Sequence, residues 1–252
     1  SHMKQQSRIL AEREKMLAEA EKEKMRANLL RAVSHDLRTP LTGIIGASSS
    51  YLENEEKLDT DEKRALVSHI GEDANWLLNM VENLLTVTRI RNDSASVNKS
   101  LEPVEEVMSE AVFRLKKRIP DANIRVLLPE EFVMIPMDAT LIEQVLVNLM
   151  ENAVFHAGST EPIECRAEIG RDTVTFFVTD QGVGIDEDKL ETIFDGTGQT
   201  ENSSADGHKG MGIGLSICKT IIVAHGGTIS ARNLERGAQF GFTLPRGEAN
   251  ED

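Results

Sequence analysis

The sequence is short of aromatics, of cysteine, of positive charge and, over its first hundred residues, of glycine and proline. Aromatic side chains make up 4 % of 252 residues, with one Trp and one Tyr. That leaves no stacking platform for single-stranded nucleic acid. Lys and Arg total 28 against 42 Asp and Glu, a formal net charge of −14. An acidic chain repels a phosphate backbone, so no direct contact with nucleic acid is expected. A nucleotide can still bind through local groups and a metal. The two cysteines, Cys165 and Cys218, form no CxxC and no disulfide framework, which fits a reducing cytoplasm. No apolar run reaches the length of a membrane span, and no signal peptide is visible. The opening Ser1-His2-Met3 reads as a tag remnant, and the chain as an excised piece of something longer.

The glycines divide what remains. Of 18, only Gly43, Gly46 and Gly71 fall in the first hundred residues, and Pro40 is the one proline there of seven. Residues 4–39 carry neither, and are built from good helix formers. Apolar pairs Ile9/Leu10 and Met16/Leu17 stand seven apart before the step breaks, a stuttering coiled-coil signal over 4–24. Residues 59–91 predict a second helix. Asp59 and Glu62 have capping-box spacing, and two seven-residue series follow, Val67/Ala74/Val81/Thr88 and Ile70/Leu77/Leu84. Two apolar-seamed helices joined by a loop near 53–58 make a hairpin over 25–91. A hairpin leaves its seam half covered, and pairing two chains into a four-helix bundle covers it. Residues 92–103 read as a linker ending in Pro103. From 104 to 247 the texture predicts helices near 104–118, 139–157 and 211–225. The strands expected are IRVLL, IECRAEI, TVTFFVTD, GGTISARN and AQFGFTLP, an α+β sandwich with a mostly antiparallel sheet. Residues 248–252 are a tail.

Four short motifs carry chemistry. In AVSHDLRTPLTG, His35 and Thr39 are four apart and share a helix face. Pro40 removes the backbone donor for the Asp36 carbonyl, so a kink or a water is expected beside His35. Asp36 can take one ring N–H, leaving the other nitrogen free to attack. A lone helix histidine is more often structural than catalytic, so the weight rests on its company. In LVNLMENAVFHA, Asn148 and Asn152 are also four apart, and Asn152 can offer oxygen to Mg²⁺. In DQGVGI, Asp180 follows an apolar strand, and Gly182 and Gly184 let a flat ligand approach the backbone. A carboxylate there accepts from adenine's exocyclic amine, which favours ATP over GTP. In GHKGMGIGLSI, Gly210, Gly212 and Gly214 open a helix whose free N–H groups suit a phosphate. It is not a Walker A loop. The Gly-, Ser- and Asn-rich stretch 195–209 before it reads as a lid.

Taken in order, these motifs resemble the sensor histidine kinases of two-component systems. SHDLRTPL resembles the phosphoacceptor H box, NLMENA the N box, and DQGVGI and GHKGMGIGL the two glycine boxes. The resemblance covers about 25–246, and RANLLRAVSHDLRTPLTGIIGASS is similar to the potassium-sensing, KdpD-type members. It implies a dimeric phosphotransfer hairpin followed by an ATP-binding domain of the Bergerat (GHKL) type. It implies ATP and Mg²⁺ as cofactors, and a homodimer and a KdpE-like response regulator as partners. It also implies membrane anchoring only through a missing N-terminal part. His35 would accept the γ-phosphoryl group with Asp36 as base, and Thr39 would position water for dephosphorylating the regulator. Asn148 and Asn152 would face the triphosphate, with Asn152 on the metal, and Asp180 would recognise adenine. Gly182, Gly184, Gly210, Gly212 and Gly214 would shape the pocket.

Two departures favour a second reading. Phe155 and His156 stand where the N box often has Lys and an aromatic, and IFDGTGQT offers Phe194, Thr197 and Gln199 without a basic residue. Both remove positive charge near the phosphates. The alternative is a kinase-weak regulator acting mainly as a response-regulator phosphatase or binding module. A plain ATPase is disfavoured, because the Asn148 amide cannot take a proton from water.

Overall fold

In a computed structural model, residues 2–92, 97–195 and 212–247 are described. The first two helices are α1 (His2–Asn54) and α2 (Thr60–Asn92). At 1.5 Å per residue α1 is about 80 Å long. It does not end at Pro40, which sits inside it; the ring costs one backbone hydrogen bond, and the helix continues on both sides. The turn closes with Leu58 N–H donating to the Asn54 carbonyl at 3.0 Å. The Asp59–Glu62 capping box forms reciprocally. Glu62 N–H donates to Asp59 Oδ1 at 2.8 Å and Asp59 N–H to Glu62 Oε2 at 3.0 Å.

The two heptad series of α2 separate by face. Ile70, Leu77 and Leu84 are half-buried. Val67 and Val81 stay 57 % and 45 % exposed, and Leu78 and Leu85 lie on the same outer stripe at 57 % and 54 %. One chain therefore covers only part of the apolar surface that the sequence supplies.

The remainder is a two-layer α+β unit. Its elements are β1 (Ser100–Pro103), α3 (Val104–Arg118), β2 (Ile124–Leu127), β3 (Met134–Met137), α4 (Ala139–His156), β4 (Ile163–Ile169), β5 (Thr173–Thr179), α5 (Gly212–Ala224), β6 (Thr228–Asn233) and β7 (Ala238–Pro245). Strands β1 and β3 were not expected. Ser100–Pro103, inside the stretch read as a linker, pairs antiparallel with Met134–Met137. Four-residue strands with a proline in each fall below what period-two patterning resolves. The main sheet runs β2-β4-β5-β7-β6, parallel only between β2 and β4.

Alternation decides which face carries the core. Val174, Phe176 and Val178 of β5 and Phe240, Phe242 and Leu244 of β7 are buried, and Phe176 stacks on Phe242 at 4.8 Å. On the other face Thr175 meets Thr243 at 3.1 Å, and the Arg166 guanidinium lies 4.5 Å over the Phe177 ring. Against the core face pack α4 and α5, with Ile142, Leu146, Leu149, Ile217 and Ile221 fully buried. Each such side chain contributes roughly 1.5–3 kcal/mol by burial. The outer helix α3 is tied to α4 by Arg114–Glu143 at 3.1 Å and Arg118–Glu151 at 2.7 Å.

The hairpin and the sandwich share one apolar cluster, which takes in Val33, Met80 and Val87. The Gln144 amide of α4 crosses that seam. Its Nε2 donates to Asn83, and its Oε1 accepts from Thr86 Oγ1 at 3.3 Å.

Candidate active site

His35, Asp36 and Thr39 occupy one stretch of α1. His35 Nδ1 lies 3.3 Å from Asp36 Oδ1, with the His35 side chain 64 % exposed and that of Asp36 14 %. Burial raises the Asp36 carboxyl above its ordinary value, and the His35 hydrogen bond opposes part of that rise. With Nδ1 donating to Asp36, Nε2 carries the lone pair. Thr39 is exposed one turn on.

The second group gathers where α4 ends. The Ala157 carbonyl, just past α4, accepts the Val183 N–H at 3.0 Å, so DQGVGI folds back onto the helix that carries Asn148 and Asn152. Gly182 is required by contact, since a Cβ there would overlap the Ala157 backbone. Gly184 is required by conformation, at φ +79°. Asp180 is 5 % exposed at the end of β5. Its Oδ1 accepts from Gly182 N–H at 2.9 Å and Ala238 N–H at 3.3 Å. Among the described residues no donor meets its Oδ2. Asn148 Nδ2 is buried without a hydrogen-bond partner. Asn152 is half-buried with its amide unpaired among the described residues.

Gly212 and Gly214 lie in the first turn of α5, and among the described residues a Cβ at Gly214 would meet nothing within 4 Å. Gly210, Thr197 and Gln199 lie outside the described residues. Phe194 turns into the core, edge-on to Phe240 at 6.1 Å. Lys219 of α5 pairs with Asp195 at 2.8 Å.

Three supporting groups were not foreseen. Asn233 on β6 clamps the glycine turn: Ile185 N–H donates to its Oδ1 at 2.8 Å, and its Nδ2 donates to the Ile185 carbonyl at 2.6 Å. Gly237, at φ +84°, leaves room for the Asp180 carbonyl. His225 holds the start of α4. Each acts across more than 40 residues of chain, where spacing carries no signal. The structure folds the turn at 180–184 onto the end of α4, the helix that carries Asn152 in its last turns and Asn148 at its middle. No hydrogen bond among the described residues joins them to His35, Asp36 or Thr39.

Residues 25–93 match the His Kinase A (phospho-acceptor) domain, and residues 137–248 the histidine kinase-, DNA gyrase B-, and HSP90-like ATPase family. The sensor protein KdpD of Clostridium acetobutylicum is 44 % identical over 236 residues, 93 % of this chain and 26 % of the relative. KdpD of Escherichia coli K12 is 35 % identical over 244 residues, 96 % of this chain and 27 % of the relative. The chain thus spans about a quarter of the length of these relatives. Among solved structures, histidine kinase ThkA in complex with the response regulator protein TrrA aligns with a TM-score of 0.65. It is 26 % identical, over 90 % of this chain and 64 % of that one. No described helix is long and apolar enough to cross a membrane.

Proposed function

The chain belongs to the sensor histidine kinases of two-component systems, and from that premise we propose that it is an ATP-dependent autokinase that phosphorylates His35. The γ-phosphoryl group moves onto His35 Nε2: a P–N bond forms, the P–O bond to the β-phosphate breaks, and ADP leaves. Asp36 keeps the proton on Nδ1 and stabilises the imidazolium that develops. Asp180 Oδ2 accepts from the adenine amine. Asn148 and Asn152 face the phosphates, and Gly212 and Gly214 at the start of α5, with Gly210 of the same motif, cradle them. A buried Asn148 amide nitrogen without a partner among the described residues fits such a ligand.

Among the described residues no set of three His, Cys, Asp or Glu side chains is placed to hold a metal. That suits Mg²⁺, which keeps waters and substrate phosphates and needs little from the protein; the Asn152 amide oxygen is the donor available. Bound there, the ion would neutralise phosphate charge.

From His35 the phosphoryl group passes to an aspartate of a response regulator, of KdpE type, within potassium or osmotic signalling. Thr39 orients the water that later hydrolyses the aspartyl phosphate: a P–O bond to water forms, the P–O bond to the aspartate breaks, and inorganic phosphate leaves. The uncovered stripe Val67, Leu78, Val81 and Leu85 is the face for a second copy of the chain. The rest of the full-length protein, by comparison with relatives four times as long, would supply the sensor and the membrane anchor.

The observation that carries this reading is an exposed His35 whose Nδ1 is held by Asp36. Incubation with γ-labelled ATP tests it. Acid-labile, base-stable label is expected on the wild type and none on His35→Gln, which still binds ATP. An unlabelled wild type that binds ATP would support the second reading, a phosphatase or binding module. Phe155 and His156 at the end of the α4 motif favour that alternative.

A further inference from the structure

Asn233 is the last residue of β6, the strand at one edge of the main sheet. Its carboxamide treats Ile185 as a neighbouring strand would. Ile185 N–H donates to Asn233 Oδ1 at 2.8 Å, and Asn233 Nδ2 donates to the Ile185 carbonyl at 2.6 Å. One side chain thus meets both backbone polar groups of one residue. Ile185 ends the turn that Asp180 begins. The Asp180 end is tied to β7: Asp180 N–H donates to the Ala238 carbonyl at 3.0 Å, and Ala238 N–H donates to Asp180 Oδ1 at 3.3 Å. Asn233 and Ala238 face each other across β6 and β7. Both ends of the turn are therefore fastened to the same pair of strands at the same register. Two glycines make room for this closure. A Cβ at Gly184 would stand 2.9 Å from Asn233 Oδ1, and one at Gly237 would stand 2.0 Å from the Asp180 carbonyl oxygen. Between the ends Val183 is 83 % exposed, so hydrogen bonds rather than burial hold the turn.

We propose that Asn233 is a positioning residue for adenine selection: by fixing the Ile185 end of the turn, its carboxamide sets where Asp180 Oδ2 stands before a nucleotide arrives. The inference deepens the nucleotide reading above and rests on it. Asn233 acts through Asp180, whose Oδ1 is engaged by the turn and by β7 and whose Oδ2 is the atom left to accept from the base. A turn loose at one end must be ordered by its ligand, and that ordering lowers affinity. A turn fastened at both ends is ordered already. The difference is felt by a base that donates to Asp180. A base with no donor at that place gains nothing from an ordered carboxylate. Inosine triphosphate is such a ligand, with the sugar and phosphates of ATP but a carbonyl in place of the adenine amine.

Selectivity is therefore the quantity to measure, by titrating wild type and Asn233→Ala with Mg-ATP and with the magnesium salt of inosine triphosphate. The wild type is expected to prefer ATP. In Asn233→Ala the ATP affinity should fall about tenfold, while the inosine triphosphate affinity stays within about twofold of wild type, so the preference shrinks. Asn233→Asp keeps the shape of the side chain and an acceptor for Ile185 N–H but has no donor for the Ile185 carbonyl. It should lose preference as well, and it carries the comparison if Asn233→Ala does not fold. In an Asp180→Asn background, Asn233→Ala is expected to have no further effect on ATP affinity, since no carboxylate remains to place. An equal loss for both nucleotides would make Asn233 a general support of the fold and overturn the inference. So would an unchanged preference for ATP, or an undiminished loss in the Asp180→Asn background; each leaves the nucleotide site standing. A wild type that binds both nucleotides equally removes Asp180 from recognition of the base, and this inference falls with that reading.

Discussion

His225 Nε2 accepts a hydrogen bond from the Asp138 backbone N–H at 3.0 Å, while Nδ1 donates to the Ile221 carbonyl at 2.8 Å. Only a neutral ring meets both. Lys99 Nζ lies on the His225 carbonyl at 3.4 Å, and Asp138 Oδ2 accepts from Asn98 N–H, so one imidazole joins the end of α5, the start of α4 and the chain that leads into β1. Burial, the largest cause, lowers the His225 pKa below 6.5. Lys99 lowers it further, and the Ile221 bond and Asp138 oppose the fall. The unfolded chain therefore binds this proton more readily than the folded one. Stability from this group is complete above about pH 6.5 and is lost as pH falls through the lower folded value. Thermal midpoints between pH 8 and pH 5 should drop more steeply for wild type than for His225→Gln. A protonated ring facing the Asp138 N–H costs roughly 1–3 kcal/mol. Parallel curves would remove His225 as the cause.

Gly182→Ala sets a methyl into the Ala157 backbone, while Gly71→Ala on α2 meets nothing within 4 Å. The first should lower stability by roughly 1–3 kcal/mol and abolish ATP binding, because the turn that carries Asp180 must move away from α4. The second should raise stability by about 0.5–1 kcal/mol through helix propensity. Denaturant melts with nucleotide titration check both. A Gly182→Ala protein that binds ATP normally would detach the turn from the site.

What was legible in the sequence was local. The Asp59–Glu62 cap, the helix over Asn148 and Asn152, the β4–β5 hairpin and the glycine turn after Asp180 each rest on residues a few positions apart, where periodicity and turn chemistry act. The clamp from Asn233 to Ile185, the His225–Asp138 bond and the Gln144 bridge to Asn83 and Thr86 span 48, 87, 61 and 58 residues. Their partners are chosen by strand order and helix packing, which no spacing rule encodes. The heptads of α2 were visible, but not which series faces α1 and which faces outward. That sorting follows from how the hairpin closes.

The outward series carries its own test. Leu78 and Val81 lie on the uncovered stripe of α2. Leu78→Asp puts a carboxylate into a dimer seam but into solvent on a lone chain. The variant should sediment as a folded monomer at micromolar concentration where the wild type is a dimer. Loss of association by several kcal/mol is expected from an unpaired buried charge. A wild-type monomer would remove the seam from the argument.

Asp36 is the place where stability and chemistry should part. Its side chain is 14 % exposed, and burial raises its pKa more than the His35 bond lowers it. The folded chain thus holds this proton more tightly than the unfolded one. As pH falls from the raised folded value toward 3.8, the group gains stability for the fold; at neutral pH the buried carboxylate is a net cost. Asp36→Asn removes that charge, so its thermal midpoint at pH 7.5 should lie at or above that of the wild type. Phosphorylation of His35 should move the other way. An amide cannot stabilise the imidazolium as a carboxylate does, nor hold one tautomer, because it offers both a donor and an acceptor to Nδ1. The rate with saturating Mg-ATP should fall about a hundredfold, with nucleotide affinity unchanged, since no hydrogen bond joins Asp36 to Asn148, Asn152 or Asp180. The wild-type rate should also decline on acidification through a limb lying above the ordinary aspartate value, and that limb should be absent in Asp36→Asn. Single-turnover phosphorylation across pH 5 to 8, beside thermal melts of both proteins, reads each sign separately. If Asp36→Asn phosphorylated His35 at the wild-type rate, the carboxylate would be a structural neighbour of the imidazole and not its base.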